Sequence, residues 1–398
     1  MQNTFEFVGK ITPCKATESF KPYGTTQFPG SDWGRKQIKF NVVAGNNRHI
    51  VEVSDLVNVV NPNSMKVYTT AKNVDGTYEN LNVAFKDRFD PDLLAKVAPF
   101  KKFVIDTDFY DHRADLEAAV DKFADGTITD EQMNYLGVSG IEACMAALDK
   151  SRGCKQEFMS AYDFIDRVND VVNSPETANM LFRVTGQIEF EYNEAKDIWY
   201  RKFMVSRIYR VKPDTPTCSK GVVDFFFAKD AVDDSDFDES GKIHVNGYVS
   251  QYLSKFKKSF MCPLSLTIDG AADDTAKKKA KVWAKKFNFA DSDSEYREIG
   301  VQVDILNGSQ KVELTMDMLT DEQRENVEFG LCTLDDIVRE MGGDVYGDRV
   351  QDIVLSGVAR GFSNGARDTA YTEEDFAKPH NSLDDDDDDD IFDDDDEI

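Results

Sequence analysis

Four histidines and six cysteines are scattered through 398 residues, and none stands at a spacing that does chemistry by itself. Cys14, Cys144, Cys154, Cys218, Cys262 and Cys332 form no C-x-x-C pair, so the chain has no zinc-ligand spacing. Gly241-Lys242 lacks the leading glycine of a phosphate-binding loop, because Asp236 stands in its place. Neither G-x-S-x-G nor H-E-x-x-H occurs. The stretch "DKFADGTITDEQ" at 121–132 has the outline of a calcium loop, with Asp121, Asp125, Gly126, Thr127 and Thr129 in register. Phe123 then takes the third position and Gln132 the twelfth; phenylalanine cannot ligate calcium and glutamine brings no charge. The spacing predicts instead a helix stopping at Gly126 and a second opening at Thr129, with Thr129 and Gln132 as a capping box. The acidic run "DDSDFDESG" at 233–241 reads as a solvated hairpin loop. No enzyme, no cofactor and no metal is expected.

Aromatic and basic residues interleave more informatively. The loop after the first predicted strand holds Lys15, Phe20, Lys21, Tyr23, Phe28, Trp33, Arg35 and Lys36. Rings in a long loop are costly to expose unless something covers them. Single-stranded nucleic acid would cover them, since every base has a π-face and lysine or arginine between the rings neutralises phosphate. "WYRKFMVSRIYR" repeats the mixture, and strict alternation puts Trp199, Arg201, Phe203, Arg207 and Tyr209 on one face. "YLSKFKKSF" adds Lys255, Phe256 and Lys257. The expected DNA-contacting set is Phe20, Lys21, Tyr23, Trp33, Arg35, Lys36, Lys39, Arg48, Trp199, Arg201, Arg207, Tyr209, Lys255, Phe256 and Lys257. The plainer alternative is core aromatics with the cations pointing to solvent. "KKKAKVWAKKF" forms a separate basic patch around Trp283, fit for DNA or for an acidic segment of the same chain.

The elements that must position these residues alternate in type. Residues 1–110 read as strands: "RKQIKFNVV" sets Ile38, Phe40 and Val42 against Arg35, Gln37, Lys39 and Asn41, and "AGNN" turns the chain into a hairpin. "DPDLLAKVAPF" interrupts them as a short helix with Asp90 as cap and Pro91 at its first position. Residues 111–178 take helical spacing, five strands follow within 179–314 together with the basic helix, and 315–370 return to helix, with Thr333 capping "TLDDIVREMGG" and Gly342 stopping it. The irregular strand lengths suit small barrels. "FVGKI" and "VTGQIEF" each place a glycine, Gly9 and Gly186, in what reads as the first strand of a barrel, which hints at two copies of one type.

The chain is 41% hydrophobic with 28 Phe, ample for packed cores. Its net charge is -27; twelve of the acidic charges lie in Asp384–Asp390 and Asp393–Glu397, so the body alone is still at -15. An acidic body counts against a simple polyanion binder, though local patches rather than net charge decide contact. Scattered thiols suggest a reducing cytosol, and neither a signal peptide nor an apolar run of membrane-spanning length is seen, so a soluble cytoplasmic protein with no membrane partner is expected.

The chain ends "DDDDDDDIFDDDDEI". Like charges keep such a tail extended, and it can compete for a basic groove on its own body or seat Ile391, Phe392 and Ile398, flanked by Asp390 and Asp393, in a partner's apolar pockets. A strand-rich, basic and aromatic body with a flexible acidic tail tipped by apolar residues resembles the single-stranded DNA-binding proteins of bacteria and phages. The usual bacterial tail ends in Pro-Phe, whereas this one ends in Glu397-Ile398 with Phe392 internal, and the chain is about twice the usual bacterial length; a phage protein in a bacterial host cell accommodates both. The resemblance implies an OB-fold body that coats single-stranded DNA and a tail that recruits replication or recombination proteins such as a polymerase, helicase or nuclease. The expected fold class is therefore α+β: two OB-like small β-barrels with helical insertions and a disordered acidic C-terminal tail. The expected units are a β domain at 1–110, a helical insertion at 111–178, a second β domain with the basic helix at 179–314, a helical segment at 315–370 and a tail at 371–398. The rival expectations are an acidic DNA-mimic that inhibits a basic enzyme and a virion structural protein.

Overall fold

A computed structural model describes residues 3–253, 257–289, 294–311, 314–340, 346–362 and 365–376. The tail calls on Asp390, Ile391, Phe392, Asp393 and Ile398, and those on Lys255, Phe256 and Gly342, lie outside the described residues; the tail expected from 371 does not start there, since Tyr371 packs edge-on against Phe226 at 5.4 Å and Phe376 stacks on Tyr296 at 3.9 Å.

The first strands follow the alternation of their sequence. They are β1 (Thr4–Pro13), β2 (Tyr23–Gln27), β3 (Trp33–Ala44) and β4 (Asn47–Asn58). In β3, Ile38, Phe40 and Val42 are buried while Arg35, Gln37 and Lys39 are half-exposed. Asn41, expected on the polar face, is buried and donates to the Pro13 carbonyl at 3.2 Å. A two-residue turn at Gly45 (φ +60°) and Asn46 returns the chain into β4, a hairpin geometry that demands left-handed backbone.

A long insertion follows. It contains a two-stranded ribbon of β5 (Lys66–Lys72) and β6 (Tyr78–Ala84), then α1 (Pro91–Lys96), β7 (Phe103–Asp106), α2 (Tyr110–Ala124), α3 (Asp130–Leu136), α4 (Ile141–Cys154), β8 (Lys155–Phe158) and α5 (Ala161–Asn173). Local chemistry sets the helix starts. The Asp90 side chain accepts from the amides of Asp92 and Leu93, and Thr129 and Gln132 form the reciprocal capping box. In α5, Ser160 caps, and Phe164, Ile165, Val168, Val171 and Val172 recur at helical spacing and pack into the main core.

The chain then returns to strands: β9 (Leu181–Asn193), β10 (Ile198–Val211), β11 (Cys218–Ala228), β12 (Val232–Asp233), β13 (Lys242–Leu253) and β14 (Lys258–Asp269), with the short α6 (Phe237–Ser240) inside the acidic run. The basic helix α7 (Asp274–Ala284) buries Ala280 and rests Trp283 on the core, turning Lys278, Lys279 and Lys281 outward. Last come β15 (Tyr296–Lys311), α8 (Asp321–Glu328), α9 (Leu334–Glu340), β16 (Tyr346–Val358) and β17 (Arg367–Asp368). Thr333 caps α9 as expected.

Among the described residues fifteen strands join in one sheet, and its pairings close twice. β1 pairs antiparallel with β3 and β9, β3 with β4, β9 with β10, and β10 meets β4 in parallel at Met204↔Glu52. β11 pairs antiparallel with β13 and β15, β13 with β14, β15 with β16, and β16 meets β14 in parallel at Thr267↔Val354. Each circuit has five strands. They are stitched together by β1 against β11, from Thr4↔Val222 to Val8↔Cys218, and one hydrophobic cluster runs through both.

The α+β class holds, with three departures in detail. The strands are not parted into a unit at 1–110 and another at 179–314: β9 and β10 complete the circuit that β1, β3 and β4 begin, because the insertion separates strands that pair. The segment expected to be helical at 315–370 carries α8 and α9 but also β16, whose buried Ile353 alternates with outward Asp352 and Val354 against β15. Gly186 lies in β9, the fourth strand of the first circuit, rather than opening a second copy. Its need for glycine is real, since a Cβ there would sit 1.9 Å from the Met204 carbonyl oxygen, and at Gly9 2.2 Å from that of Val43. Gly186→Ala is therefore expected to destabilise the chain by about 3 kcal/mol, a cost of the size overpacking brings; urea unfolding midpoints of the two proteins check it.

Candidate nucleic-acid interface

Beyond the first circuit, β9 and β10 continue as a hairpin. Pairing puts Phe190 beside Arg201 and Tyr192 beside Trp199 on one face. The Tyr192 and Trp199 rings lie 5.0 Å apart. This face looks onto the outer surface of β13, β14 and β16. Between them lies a recess of ≈ 420 Å³ lined by Phe190, Trp199, Arg201, His244, Ser265 and Thr267, among others. On its floor Thr267 Oγ1 donates to Asp352 Oδ1 at 2.6 Å and stands 3.2 Å from His244 Nδ1, while Lys242 reaches Asp352 at 3.7 Å.

Arg201 is the distinctive group. It is half-buried, burial pulls its guanidinium pKa below the ordinary value, and its guanidinium carbon lies 5.5 Å from the centre of the Phe203 ring. Among the described residues no carboxylate pairs with it. A desolvated cation that lacks a counter-ion is costly, and a phosphate would relieve that cost with charge-assisted hydrogen bonds.

A second recess of ≈ 510 Å³ shares Phe190 with the first and is lined by Arg35, Glu52, Glu189, Glu191, Tyr192, Lys202 and Tyr252, among others. The structure thus brings Arg35, Lys39, Trp199 and Arg201 onto adjoining surfaces. It also places carboxylates there. Lys39 pairs with Glu52 at 3.2 Å, and Lys202 with Glu191. Burial pushes the Glu189 carboxyl up. A polyanion would have to compete with these acids, so Glu52→Gln is expected to tighten binding of an oligonucleotide a few-fold by freeing Lys39; fluorescence anisotropy of both proteins against one labelled oligo-dT checks this.

Other expected residues fall elsewhere. Lys36 is buried: its Nζ donates to Asp166 at 2.7 Å and to the Tyr162 carbonyl at 3.0 Å, tying β3 to α5 and leaving no charge for a phosphate. Tyr23 is exposed on the arm of β2 and donates to Asp166 at 2.9 Å. Phe20 and Trp33 are half-buried, and Lys21 is exposed. Arg48 is exposed, its Nε donating to Asn41. Lys257 is exposed at the described edge of the β13–β14 turn, with φ +47°. The expected common face of Trp199, Arg201, Phe203, Arg207 and Tyr209 does not form. The β9–β10 register slips between Val205 and Arg207, which turns Arg207 and Tyr209 to the opposite side. The contributions of His244, Thr267 and Asp352 were not foreseen, because only the pairing of β13, β14 and β16 assembles them.

The acidic run at 233–241 joins β12 to β13, which pair antiparallel as the hairpin reading expects, and within it α6 buries Phe237 and is closed by Gly241 (φ +69°). Among the described residues no group of His, Cys, Asp and Glu is arranged to hold a metal. All six cysteines are free thiols. No helix among the described residues is long and apolar enough to cross a membrane.

No protein-family profile matches the chain. No curated protein matches it either. Among solved structures it is similar to a deletion mutant of the single-stranded DNA binding protein from Thermus aquaticus. That chain is 7% identical, with a TM-score of 0.28, over 77% of this chain and 86% of the other. A likeness of that size carries no weight for fold or function.

Proposed function

We propose that this chain binds single-stranded DNA without catalysis, in replication or recombination, through two OB-like barrels. The order of pairing supports the barrel reading. Numbered by position in each circuit, the fourth strand lies beside the first and the first three follow as neighbours, the Greek-key order, with the fifth closing the ring. A helix, α5 or α7, precedes the fourth strand in each. The observation that carries the functional reading is the recess holding Trp199 and the unpaired Arg201, a stacking ring beside a phosphate-seeking cation. On this reading binding is tolerant of sequence and weakens with salt. The acidic tail competes for the basic surface and recruits partner proteins.

The test is quenching of intrinsic Trp fluorescence by oligo-dT at rising salt, with the full chain beside a version stopped at Ser382. Quenching that tightens without the tail supports both barrel and tail roles. No quenching by either form at low salt refutes the reading and favours an acidic DNA-mimic, for which the carboxylates of the second recess already speak.

A further inference from the structure

The insertion carries a surface that the two circuits do not explain. The β5–β6 ribbon packs one face, with Val67 and Val83, against Phe85, Val97 and Met159. Its other face is open. Register places Lys66, Tyr68, Thr70 and Lys72 there opposite Ala84, Asn82, Asn80 and Tyr78. In a chain of net charge -27, these eight outward positions hold no carboxylate.

Two tyrosines of this face stand in solvent, Tyr68 at 74% exposure and Tyr78 at 53%. The surface continues past the ribbon. Phe100, 54% exposed, meets Tyr78 edge-on at 5.2 Å. Arg207 donates to the neighbouring Pro99 carbonyl at 2.7 Å. Phe100 and Arg207 then line a cleft of ≈ 840 Å³ between the outer faces of the two circuits, together with Lys220, Gln187 and Gln302; Glu6 and Asp304 also line it. Arg207 reaches this side only because of the register slip in β10.

We infer that the ribbon face and the adjoining cleft form a second binding track for single-stranded nucleic acid, on the opposite side of β10 from Trp199 and Arg201. This deepens the proposed function and rests on it. Three accessible rings offer stacking platforms, which only unpaired bases can use. Same-face residues on one strand stand about 6.8 Å apart, so Lys66 is the immediate same-face neighbour of Tyr68, while Lys72, two such steps beyond Tyr68, stands directly opposite Tyr78; each tyrosine thus has a cation beside it. Asn80 and Asn82 offer amide donors and acceptors across the strand. A duplex would bury its bases away from the rings and meet only the lysines.

The test uses the full chain and long oligo-dT containing 5-iodouracil. Photocrosslinks mapped by peptide mass spectrometry are expected on Tyr68, Tyr78 or Phe100 as well as on Trp199. The combined variant Tyr68→Ala, Tyr78→Ala, Phe100→Ala is expected to bind long oligo-dT at least tenfold more weakly, since the loss of even one stacked base is worth about one decade. Its unfolding midpoint should match the parent, because the rings are exposed. Lys66→Gln with Lys72→Gln should lower the slope of log K against log salt by about 1.4. Crosslinks confined to Trp199, together with parental affinity in the ring variant, overturn this inference and leave the proposed function standing. Tighter binding of duplex than of oligo-dT, lost in the ring variant, overturns the single-strand assignment. Failure of the parent to bind oligo-dT of any length overturns both.

Discussion

Arg201→Gln is expected to bind oligo-dT at least tenfold more weakly than the parent while unfolding no more easily. The two halves of this expectation come from one observation. Arg201 is half-buried, stripped of part of its water, and without a carboxylate partner among the described residues. Such a charge contributes little to the fold and can lower its stability. Its return comes when an anion arrives: hydrogen bonds to charged groups are worth about 1.5 to 3 kcal/mol, one to two decades in affinity. A structural arginine would behave in the opposite way. Arg113, which holds Asp106 through two hydrogen bonds at 2.9 Å, should lose stability when truncated. Anisotropy titrations and urea unfolding on the same preparations separate the cases. An Arg201→Gln protein that binds like the parent but unfolds earlier would show Arg201 to be a strut. Trp199→Ala should weaken binding by a comparable factor through lost stacking, about 1 to 3 kcal/mol. Trp33→Ala should also weaken it, and less, because Trp33 stands on the arm away from the unpaired cation.

The second large effect is on acid stability. His49 is fully buried on β4, stacked on Phe7 at 4.1 Å, with Nε2 within 2.8 Å of Ser219 Oγ on β11. Burial, aided by the charge of Arg201, pulls its pKa from 6.5 down to about 4. The unfolded chain therefore binds a proton between these values that the folded chain refuses. Stability is fully present above pH 6.5 and falls as the pH drops toward 4. The loss is about 3 kcal/mol at most, because a tenfold difference in proton affinity is worth about 1.36 kcal/mol. Below about pH 4 both states are protonated and this contribution no longer changes. His49→Phe should remove the slope between about pH 6.5 and 4.5, above the range where most carboxylates titrate. Urea titrations at three pH values check it, and an unchanged slope in the variant would assign the loss to other groups. Because His49 and Ser219 belong to different circuits, acid should loosen the junction between them first.

Much of the local structure was legible because it rests on local chemistry. Asp90 before Pro91, the Thr129–Gln132 pair and the alternation of Ile38, Phe40 and Val42 each act within a few residues, and each formed. What the sequence hid depends on distant pairing. Nothing between 59 and 180 signals that β9 will lie beside β1. The slip after Val205 has no local marker, so Arg207 and Tyr209 read as partners of Trp199 when they face away. Lys36 looked like the neighbouring lysines until Asp166, far along the chain, claimed it. Part of the candidate site was visible in the same limited sense: Trp199 and Arg201 stood out by type, but the recess they share with His244, Thr267 and Asp352 exists only once two circuits meet.

The interleaving of the two circuits also has a consequence for synthesis on the ribosome. β1 is made first, yet its partners β9 and β11 emerge only after residue 180, so Thr4 waits for Gln187 on β9 and longer still for Val222 on β11. Until then the first three circuit strands are a hairpin sheet with open edges, the kind of surface that pairs with other chains. The insertion can fold meanwhile, since the cluster around Leu116, Cys144 and Leu148 is built from neighbouring helices. Fragments ending near residue 110 or 178 should accordingly be aggregation-prone, and the nascent chain should gain protease resistance in three steps: in the insertion, after β10 has left the exit tunnel and the first circuit can close, and after β16 has done so and the second can close.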